Sequence, residues 1–487
     1  MPTITVMDPV TRIEGHLKVE VTIDAVAGRE QVIDARASGT LFRGFERILV
    51  GRAPTDAPIL TERICGVCPV SHGLAATLAL EKAARVQQGT NARLLRNLVL
   101  GANYVQSHIL HFYLLSAVDY VPGPGKAPWA PAWDVDMRGD PRLDGIVPHL
   151  VASIEARRRA HEMGAVFGGR MPSPHTSVPG GFTSTVTAAR VSAFRSHLTW
   201  LRDFVRTTYV PDAEAIASVY DDYLAVGRGF GNLLSFGVFE QANDGSSWLL
   251  RRGLASATAA VTNASRRQPP GGALDVGKIT EHVHSSWYAD SSTQLPPAKG
   301  RTEPVYPKGD AYSWLKAPRY AGRPHEAGPL ARMWVNGDYR RGVSVMDRHL
   351  ARARECLKVA DAMDGWLDQL QVGGTVFAGY RTPASGTGVG MTEAPRGALG
   401  HWVGIGGERI AHYQVVTPTC WNASPRDDGG VLGPMEKALV GTPIADAERP
   451  IEALRVVHSF DPCLSCAVHV MRPDGRPVAV LRAGPPA

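Results

Sequence analysis

Two CxxC pairs at opposite ends of the chain are the feature that most constrains its fold. Cys65 and Cys68 lie near the N-terminus, and Cys463 and Cys466 lie near the C-terminus. Each pair brings two thiols to one side of a tight turn, and soft thiolate ligands bind zinc, nickel, copper(I) or iron–sulfur centres. If the four thiols form one site, the two ends must meet, although Cys68 and Cys463 are 395 positions apart.

Spacing alone leaves three kinds of site open: a structural zinc site, an iron–sulfur cluster and two unrelated redox pairs. Six cysteines in 487 residues are too few for a disulfide scaffold. Zinc ribbons usually pair CxxC elements about 15–20 residues apart, far less than the separation here. Each pair also has functional groups beside it, which a structural zinc site does not need: Arg63 and His72, and Asp461 and His469.

Composition excludes several classes of protein. The chain is 44% hydrophobic with a formal net charge of +6 and no dense basic run, so we predict neither disorder nor a nucleic-acid partner. The N-terminus lacks a basic segment followed by an apolar one, so we expect no signal peptide. No apolar run reaches the about 18 residues of a membrane span. We therefore expect a soluble chain unless a partner anchors it.

Residue periodicity predicts a mainly helical fold with smaller β regions, of the α+β class. Alternation over 3–37 predicts two or three strands. Residues 265–345 are rich in Gly and Pro and predict a long irregular region, and short strands and turns are expected after residue 371. Helical periodicity covers five segments: 71–87, 91–119, 147–167, 186–225 and 345–371. No linker isolates either cysteine pair, so we predict one large intertwined body in which the N- and C-terminal CxxC motifs meet in the interior.

Longer motifs around both pairs resemble the large, catalytic subunit of nickel–iron hydrogenases. RICGVCPVSH (63–72) and DPCLSCAVH (461–469) form the paired signature of that family. Four further segments match in the expected order: DPVTRIEGH (8–16), TLFRGFE (40–46), EAPRGALGHW (393–402) and WNASPRDD (421–428). Other stretches look especially like the nickel–iron–selenium subgroup, with Cys463 in place of selenocysteine. The resemblance covers essentially the whole chain and implies an oxidoreductase that cleaves H₂ reversibly into protons and electrons.

The resemblance implies a two-metal centre held by all four paired cysteines. Cys65 and Cys463 would be terminal nickel ligands. Cys68 and Cys466 would bridge nickel to an iron that also carries carbon monoxide and cyanide. Thiolates suit this chemistry because a terminal thiolate can also accept a proton.

Further residues match groups that serve the reaction in this family. Arg396 matches an arginine over the open metal position, and Asp461 matches a carboxylate beside it. Glu14 matches the proton-relay glutamate near a terminal nickel thiolate, where burial would raise its pKa. His72 matches a histidine that donates a hydrogen bond to a bridging sulfur. Ser107 departs from the pattern, because many relatives have a third aspartate at that position.

The resemblance also implies a second site near the C-terminus, for magnesium or another divalent ion. Its protein ligands would be Glu46, the backbone carbonyl of Val415, and His469. Pro418 and Thr419 match the loop that surrounds a cyanide ligand of the iron.

The end of the chain matches an extension that precursors in this family lose. We therefore predict a hydrogenase domain over 1–469 and an extension, 470–487, which a maturation endopeptidase removes after His469 once nickel is in place. Nickel and iron insertion proteins would be further partners. The alternative is a permanent β-hairpin, because Asp474-Gly475 is a good turn sequence.

The two remaining cysteines imply a partner subunit. Cys356 and Cys420 cannot hold an iron–sulfur cluster by themselves, so the electrons from H₂ must leave through another polypeptide. The resemblance implies an obligate heterodimer with an iron–sulfur small subunit, through which a cytochrome or membrane anchor could attach. Related small subunits carry the export signal, so we expect the periplasm or the periplasmic side of the membrane, with the cytoplasm as the alternative.

Three other functions share parts of this pattern. A respiratory complex I scaffold subunit of the same ancestry has lost the metal-binding cysteines, which this chain keeps. An H₂-sensing regulator with the same centre generally lacks the C-terminal extension. A plain zinc protein would contain neither nickel nor iron.

Overall fold

Long helices form the centre of the structure, a computed structural model that describes residues 2–126, 129, 135–257 and 274–464. The helices are α1 (Phe45–Leu49), α2 (Asp56–Thr61), α3 (Pro69–Ala84), α4 (Thr90–Leu110), α5 (Ile146–Gly168), α6 (Ala188–Phe204), α7 (Val210–Val219), α8 (Pro329–Asn336), α9 (Val345–Gln369), α10 (Pro418–Asn422), α11 (Pro434–Leu439) and α12 (Ile451–Ser459). Helices α4 and α9 pack against each other, α5 covers α4, and α6 to α8 cover α9. Ser344 and Asp347 form a capping box that fixes the start of α9. No helix of the described residues is long and apolar enough to span a membrane.

Small antiparallel sheets lie around these helices. The strands are β1 (Thr3–Met7), β2 (Leu17–Val26), β3 (Arg29–Gly39), β4 (Ser177–Val178), β5 (Gly181–Phe182), β6 (Asn232–Glu240), β7 (Trp248–Ser256), β8 (Ile279–His282), β9 (Ala317–Tyr320), β10 (Ser385–Ala394), β11 (Gly397–Gly406) and β12 (Arg409–Val416). Strands β1-β2-β3 and β10-β11-β12 form two three-stranded sheets, and the other strands pair in sequence order. The predicted α+β class and the predicted N-terminal strands are confirmed.

Two predictions about the second half of the chain were wrong in detail. The region predicted to be irregular contains β8, β9 and α8 within its described part, 274–345. The segment after 371 forms a sheet with strands of 8 to 10 residues, not short pieces. Strand β11 is buried on both faces, so its sequence lacks the alternation that indicates a strand.

Helix α3 packs unusually closely on β10, and this contact positions the first cysteine pair. A Cβ atom at Gly388 or Gly390 would lie 1.9 Å from the carbonyl oxygen of Ala79 or Ala75, respectively. Only glycine allows two backbones to approach this far. These contacts show that β10 runs antiparallel to α3. The C-terminal end of β10 and the turn into β11 therefore lie near the N-terminal end of α3, where Cys68 lies.

We expect Gly390→Ala to lower the free energy of unfolding by about 3 kcal/mol, because the new methyl group would meet backbone that cannot move without shifting α3. Denaturant unfolding followed by circular dichroism measures the change. Gly365→Ala is the matched control, since a Cβ there meets nothing within 4 Å and should stabilise α9 by about 0.5–1 kcal/mol. Equal stabilities of the two variants would contradict the close approach.

Asp119 joins the two ends of the chain in the interior. Its carboxylate pairs with Arg12, which precedes β2, and accepts a hydrogen bond from His458 Nδ1 of α12 at 2.6 Å. His458 Nε2 also donates to the carbonyl oxygen of Thr11 at 2.9 Å. Burial alone would raise the pKa of Asp119, but the charges of Arg12 and His458 outweigh it and hold the pKa below its usual value.

We expect Asp119→Asn to lower the free energy of unfolding at pH 7 by about 3 kcal/mol, because it removes the negative charge from a buried ion-pair network. Since the folded pKa of Asp119 is lowered, this contribution is present above the pKa of an unfolded aspartate. It is lost as the pH falls through the lower folded value. Denaturant unfolding across the acidic range measures it. The partly exposed ion pair of Asp34 with Arg426 provides the control, Asp34→Asn, whose expected loss is below about 1 kcal/mol. A loss no larger for Asp119→Asn would contradict the prediction.

Candidate metal centre

The two cysteine motifs meet in the interior through the backbone. Cys463 pairs with Glu14 in an isolated parallel β-bridge, and the next N–H group donates to the Glu14 carbonyl oxygen at 2.6 Å. Asp461 ends the turn after α12 with a left-handed φ of 56°, which redirects the chain toward Cys463. At the other end, Cys65 follows a single 3₁₀ turn and Cys68 precedes the first residue of α3.

Cys65, Cys68 and Cys463 form a buried cluster. The Sγ atoms of Cys65 and Cys463 are 3.2 Å apart, longer than a disulfide bond, and the three sulfurs lie within 4.8 Å of one another. The N–H groups of Val67 and Cys68 donate to Cys65 Sγ at 3.3 and 3.2 Å, and such donors stabilise a thiolate. A soft metal ion fits this donor set. The fourth predicted ligand, Cys466, lies outside the described residues.

Arg396 lies beside the cluster, in the turn between β10 and β11. Its Nε donates to Asp461 Oδ1 at 3.0 Å, and both side chains are buried. Among the residues that the structure describes, the two terminal nitrogens of Arg396 and Oδ2 of Asp461 have no hydrogen-bond partner. Burial lowers the pKa of Arg396, but Asp461 and the three cysteines raise it well above its usual value. The guanidinium is therefore charged and has donors to spare.

Three further residues that the sequence motifs single out are Thr419, Pro418 and Ser107. Thr419 accepts a hydrogen bond from the Cys463 N–H at 2.9 Å, and Pro418 is the first residue of α10. Ser107 is buried on α4, and its Oγ has no partner among the described residues. Thr419 therefore positions the backbone of Cys463.

Glu14 is half-buried, whereas a buried carboxyl group is expected from the sequence. Its Oε1 lies 3.7 Å from the position that a Cβ at Gly66 would take, so the carboxylate lies against the first cysteine loop. Glu14 thus lies between the cysteine loops and the outside of the chain.

His72 lies one helical turn after Cys68 and is fully buried. Its Nδ1 faces His401 Nε2 at 3.2 Å, and His401 Nδ1 faces the Tyr413 hydroxyl at 2.8 Å. Burial lowers the pKa of His72 to about 4 and that of His401 well below its usual value, so both rings are neutral. His401 and Tyr413 are not predicted from the sequence, although His401 belongs to the GALGHW motif.

Glu46 lines a cavity of about 60 Å³. Its Oε1 accepts a hydrogen bond from the Val415 N–H at 3.1 Å, and its Oε2 contacts a threonine hydroxyl. Lys316 pairs with Glu281 at 3.3 Å in the same cavity. Carboxylate oxygens in such a space suit a hydrated divalent ion, although Lys316 already supplies a positive charge. The remaining predicted ligand, His469, lies outside the described residues.

Comparisons with known proteins match hydrogenases along almost the entire chain. A family model described as nickel-dependent hydrogenase matches residues 43–123 and 126–469, and a HoxL-like model matches residues 3–38. The periplasmic [NiFeSe] hydrogenase large subunit of Desulfomicrobium baculatum is 39% identical, with 96% of this chain and 95% of the relative covered. The uptake hydrogenase large subunit of Bradyrhizobium diazoefficiens is 34% identical, with 98% and 97% covered. The solved Ni-Fe-Se hydrogenase of D. vulgaris Hildenborough superposes with a TM-score of 0.90 at 42% identity, covering 96% of this chain and 100% of that one.

The fold and the buried thiolate cluster, taken with these matches, define the class of the protein as a hydrogenase. The chain belongs to the nickel-dependent hydrogenase family, as a large subunit. The fold and family that the sequence motifs predict are confirmed.

Proposed function

We propose that this chain cleaves H₂ heterolytically at a nickel–iron centre held by Cys65, Cys68, Cys463 and Cys466. The observation that carries the proposal is the buried cluster of the first three thiols, built from both ends of the chain. When bound, nickel and iron, the latter carrying carbon monoxide and cyanide, supply the position at which H₂ is polarised and its two electrons are taken up.

The side chains around the cluster have distinct roles in this proposal. Arg396, held by Asp461, presents charged donors that stabilise negative charge developing as the H–H bond breaks. The Cys463 thiolate accepts a proton at Sγ. Glu14 is joined to Cys463 by the β-bridge and lies toward the outside, so its carboxylate takes that proton and passes it outward.

Metal analysis and infrared spectroscopy test the proposal directly. Protein purified without oxygen should contain nickel and iron and show stretching bands of metal-bound carbon monoxide and cyanide, together with H₂-dependent reduction of a dye. Zinc as the only metal, with no such bands, would overturn it.

We infer that the electrons leave through an iron–sulfur small subunit. Within the described part of the chain, Cys356 and Cys420 lie on different helices, α9 and α10, outside the thiol cluster. The described part of the chain therefore offers no iron–sulfur cluster site through which two electrons could leave. Affinity purification of the tagged chain should recover a second polypeptide with iron and acid-labile sulfide. Full dye reduction by the chain alone would contradict this partner.

We propose that the extension 470–487 is removed after His469 during maturation by a dedicated endopeptidase, after metal insertion proteins have delivered nickel and iron. The match to the family model ends at residue 469, which supports this boundary. Mass spectrometry of active holoenzyme should find His469 as the last residue. An intact extension in active protein would refute the cleavage and favour a permanent hairpin.

We assign magnesium, or another divalent ion, to the cavity at Glu46, with the Val415 carbonyl and His469 as further ligands. The carboxylates of the cavity support this assignment. Glu46→Gln should release about one equivalent of the ion from the holoenzyme, measured by elemental analysis. Unchanged ion content would refute the assignment.

We place the enzyme in the periplasm, exported with its small subunit, because the relative from D. baculatum is named as periplasmic. Fractionation of cells into periplasm and cytoplasm, with hydrogenase activity assayed in each, tests the location. Activity confined to the cytoplasm would establish the alternative.

A further inference from the structure

A buried hydrogen-bonded row of side chains lies between the sheet β10-β11-β12 and α3, and it consists of Tyr413, His401 and His72. Tyr413 of β12 pairs with Val403 of β11, two positions from His401, so Tyr413 and His401 lie on the same face of the sheet. The hydroxyl lies 2.8 Å from His401 Nδ1, and His401 Nε2 lies 3.2 Å from His72 Nδ1. All three side chains are at most 2% exposed.

The hydrogen atoms in this row can be placed by counting donors and acceptors. Among the described residues, the Tyr413 hydroxyl has one hydrogen-bond partner, so it donates to His401 Nδ1, because otherwise its hydrogen would be buried without an acceptor. A neutral imidazole that accepts at Nδ1 carries its hydrogen on Nε2. His401 therefore donates from Nε2 to His72 Nδ1, and His72 in turn carries its hydrogen on Nε2.

The opposite direction of the hydrogen bonds is disfavoured at both ends of the row. It would leave the Tyr413 hydrogen unpaired in a buried site, at a cost of about 1–3 kcal/mol. It would also give His72 a lone pair instead of a hydrogen at Nε2, whereas a thiolate charge on Cys65 favours the hydrogen. Both costs favour the same tautomers.

We propose that Tyr413 is a positioning residue: acting through His401, it fixes His72 as an Nε2–H donor toward the cysteine cluster. The proposal rests on the proposed nickel–iron centre. An N–H donor beside thiolates withdraws charge from sulfur and so reduces the electron density that the sulfurs give to a bound metal. Within the described residues, the Tyr413 hydroxyl is hydrogen-bonded to His401 and not to Cys65, Cys68 or Cys463, so the proposed influence runs through the tautomers of His401 and His72.

The test uses the complete heterodimer with Tyr413→Phe, which removes only the hydroxyl. We expect unchanged nickel and iron contents, about a tenfold loss of turnover and a shift of the carbon monoxide and cyanide stretching bands to lower wavenumber. The bands move because, without the hydroxyl, the tautomers of His401 and His72 are less strongly fixed, so His72 donates in a smaller fraction of molecules and iron receives more charge from sulfur. Tyr113→Phe is the matched control, a buried tyrosine whose hydroxyl donates to Asp212 at 2.6 Å, and its bands should stay in place.

A second variant separates the effect of hydrogen-bond direction from an effect of side-chain packing at residue 413. In Tyr413→Phe combined with His401→Gln, the amide can donate to His72 Nδ1 without help from residue 413, so the bands should return toward their original positions. Unmoved bands in Tyr413→Phe, or an equal shift in Tyr113→Phe, would overturn the proposal. If Tyr413→Phe does not assemble, His401→Gln alone carries the test, and a shift of its bands would overturn the proposal. Absence of carbon monoxide and cyanide bands in the unaltered enzyme would instead refute the proposed function.

Discussion

Cys463→Ala should reduce H₂ turnover to background and prevent stable nickel binding. Within the part of the chain that the structure describes, Cys463 is the thiol that the C-terminal end contributes to the cluster. Its Sγ lies 3.2 Å from the Sγ of Cys65. Removing it takes away the thiol that lies against Cys65 and leaves an incomplete ligand set for a metal that both ends of the chain should share. The measurement is nickel content by elemental analysis together with H₂-dependent dye reduction in the purified heterodimer.

Cys356→Ala is the matched control for this prediction. Cys356 is also buried, but it lies within the helical core on α9 and takes no part in the thiol cluster. The substitution should cost about 1 kcal/mol of stability through the small cavity it leaves, with nickel content and turnover nearly unchanged. Appreciable turnover in Cys463→Ala would refute its ligand role, and loss of nickel in Cys356→Ala would show that the ligands are wrongly assigned.

The meeting of the two ends could be predicted from the sequence, because the motifs around both cysteine pairs resemble those of a family in which all four thiols bind one centre. Helix α9 could be predicted for a local reason, since its capping box and its apolar periodicity both lie within the segment itself. In both cases the signal is carried by residues close together in sequence or by residue types with a specific chemistry.

The supports of the site could not be predicted, because they depend on contacts between distant segments. Asp119 meets Arg12 and His458, and His72 meets His401, with no spacing that links these positions in the sequence. The half-buried state of Glu14 could not be predicted either, because the residues near it in sequence do not indicate which distant segments cover it. A single carboxylate or histidine in a helix carries no mark of which distant strand or helix it will contact.

The second large effect concerns Arg396, and we expect Arg396→Lys to lower kcat by about 10²–10³-fold while nickel and iron stay bound. The guanidinium uses Nε for Asp461 and keeps two buried terminal nitrogens, unpartnered among the described residues, for the reacting position. A lysine ammonium is a single point of charge, so it would be drawn to Asp461 and leave that position without a donor. The positive charge is retained, so stability and metal content should change little.

Steady-state kinetics with elemental analysis separate this role from a structural one. Loss of a group that acts mainly as the H–H bond breaks lowers kcat and kcat/KM together, whereas loss of ground-state binding raises KM alone. Arg319→Lys is the control, because Arg319 is equally buried and donates from Nε to Asp427 at 2.9 Å, yet the residues it contacts lie outside the thiol cluster. That variant should lose stability and keep its turnover per nickel. If Arg396→Lys kept the turnover per nickel of the parent enzyme, the spare donors of Arg396 would have no part in the reaction, and the role of the arginine would be limited to holding Asp461 in place.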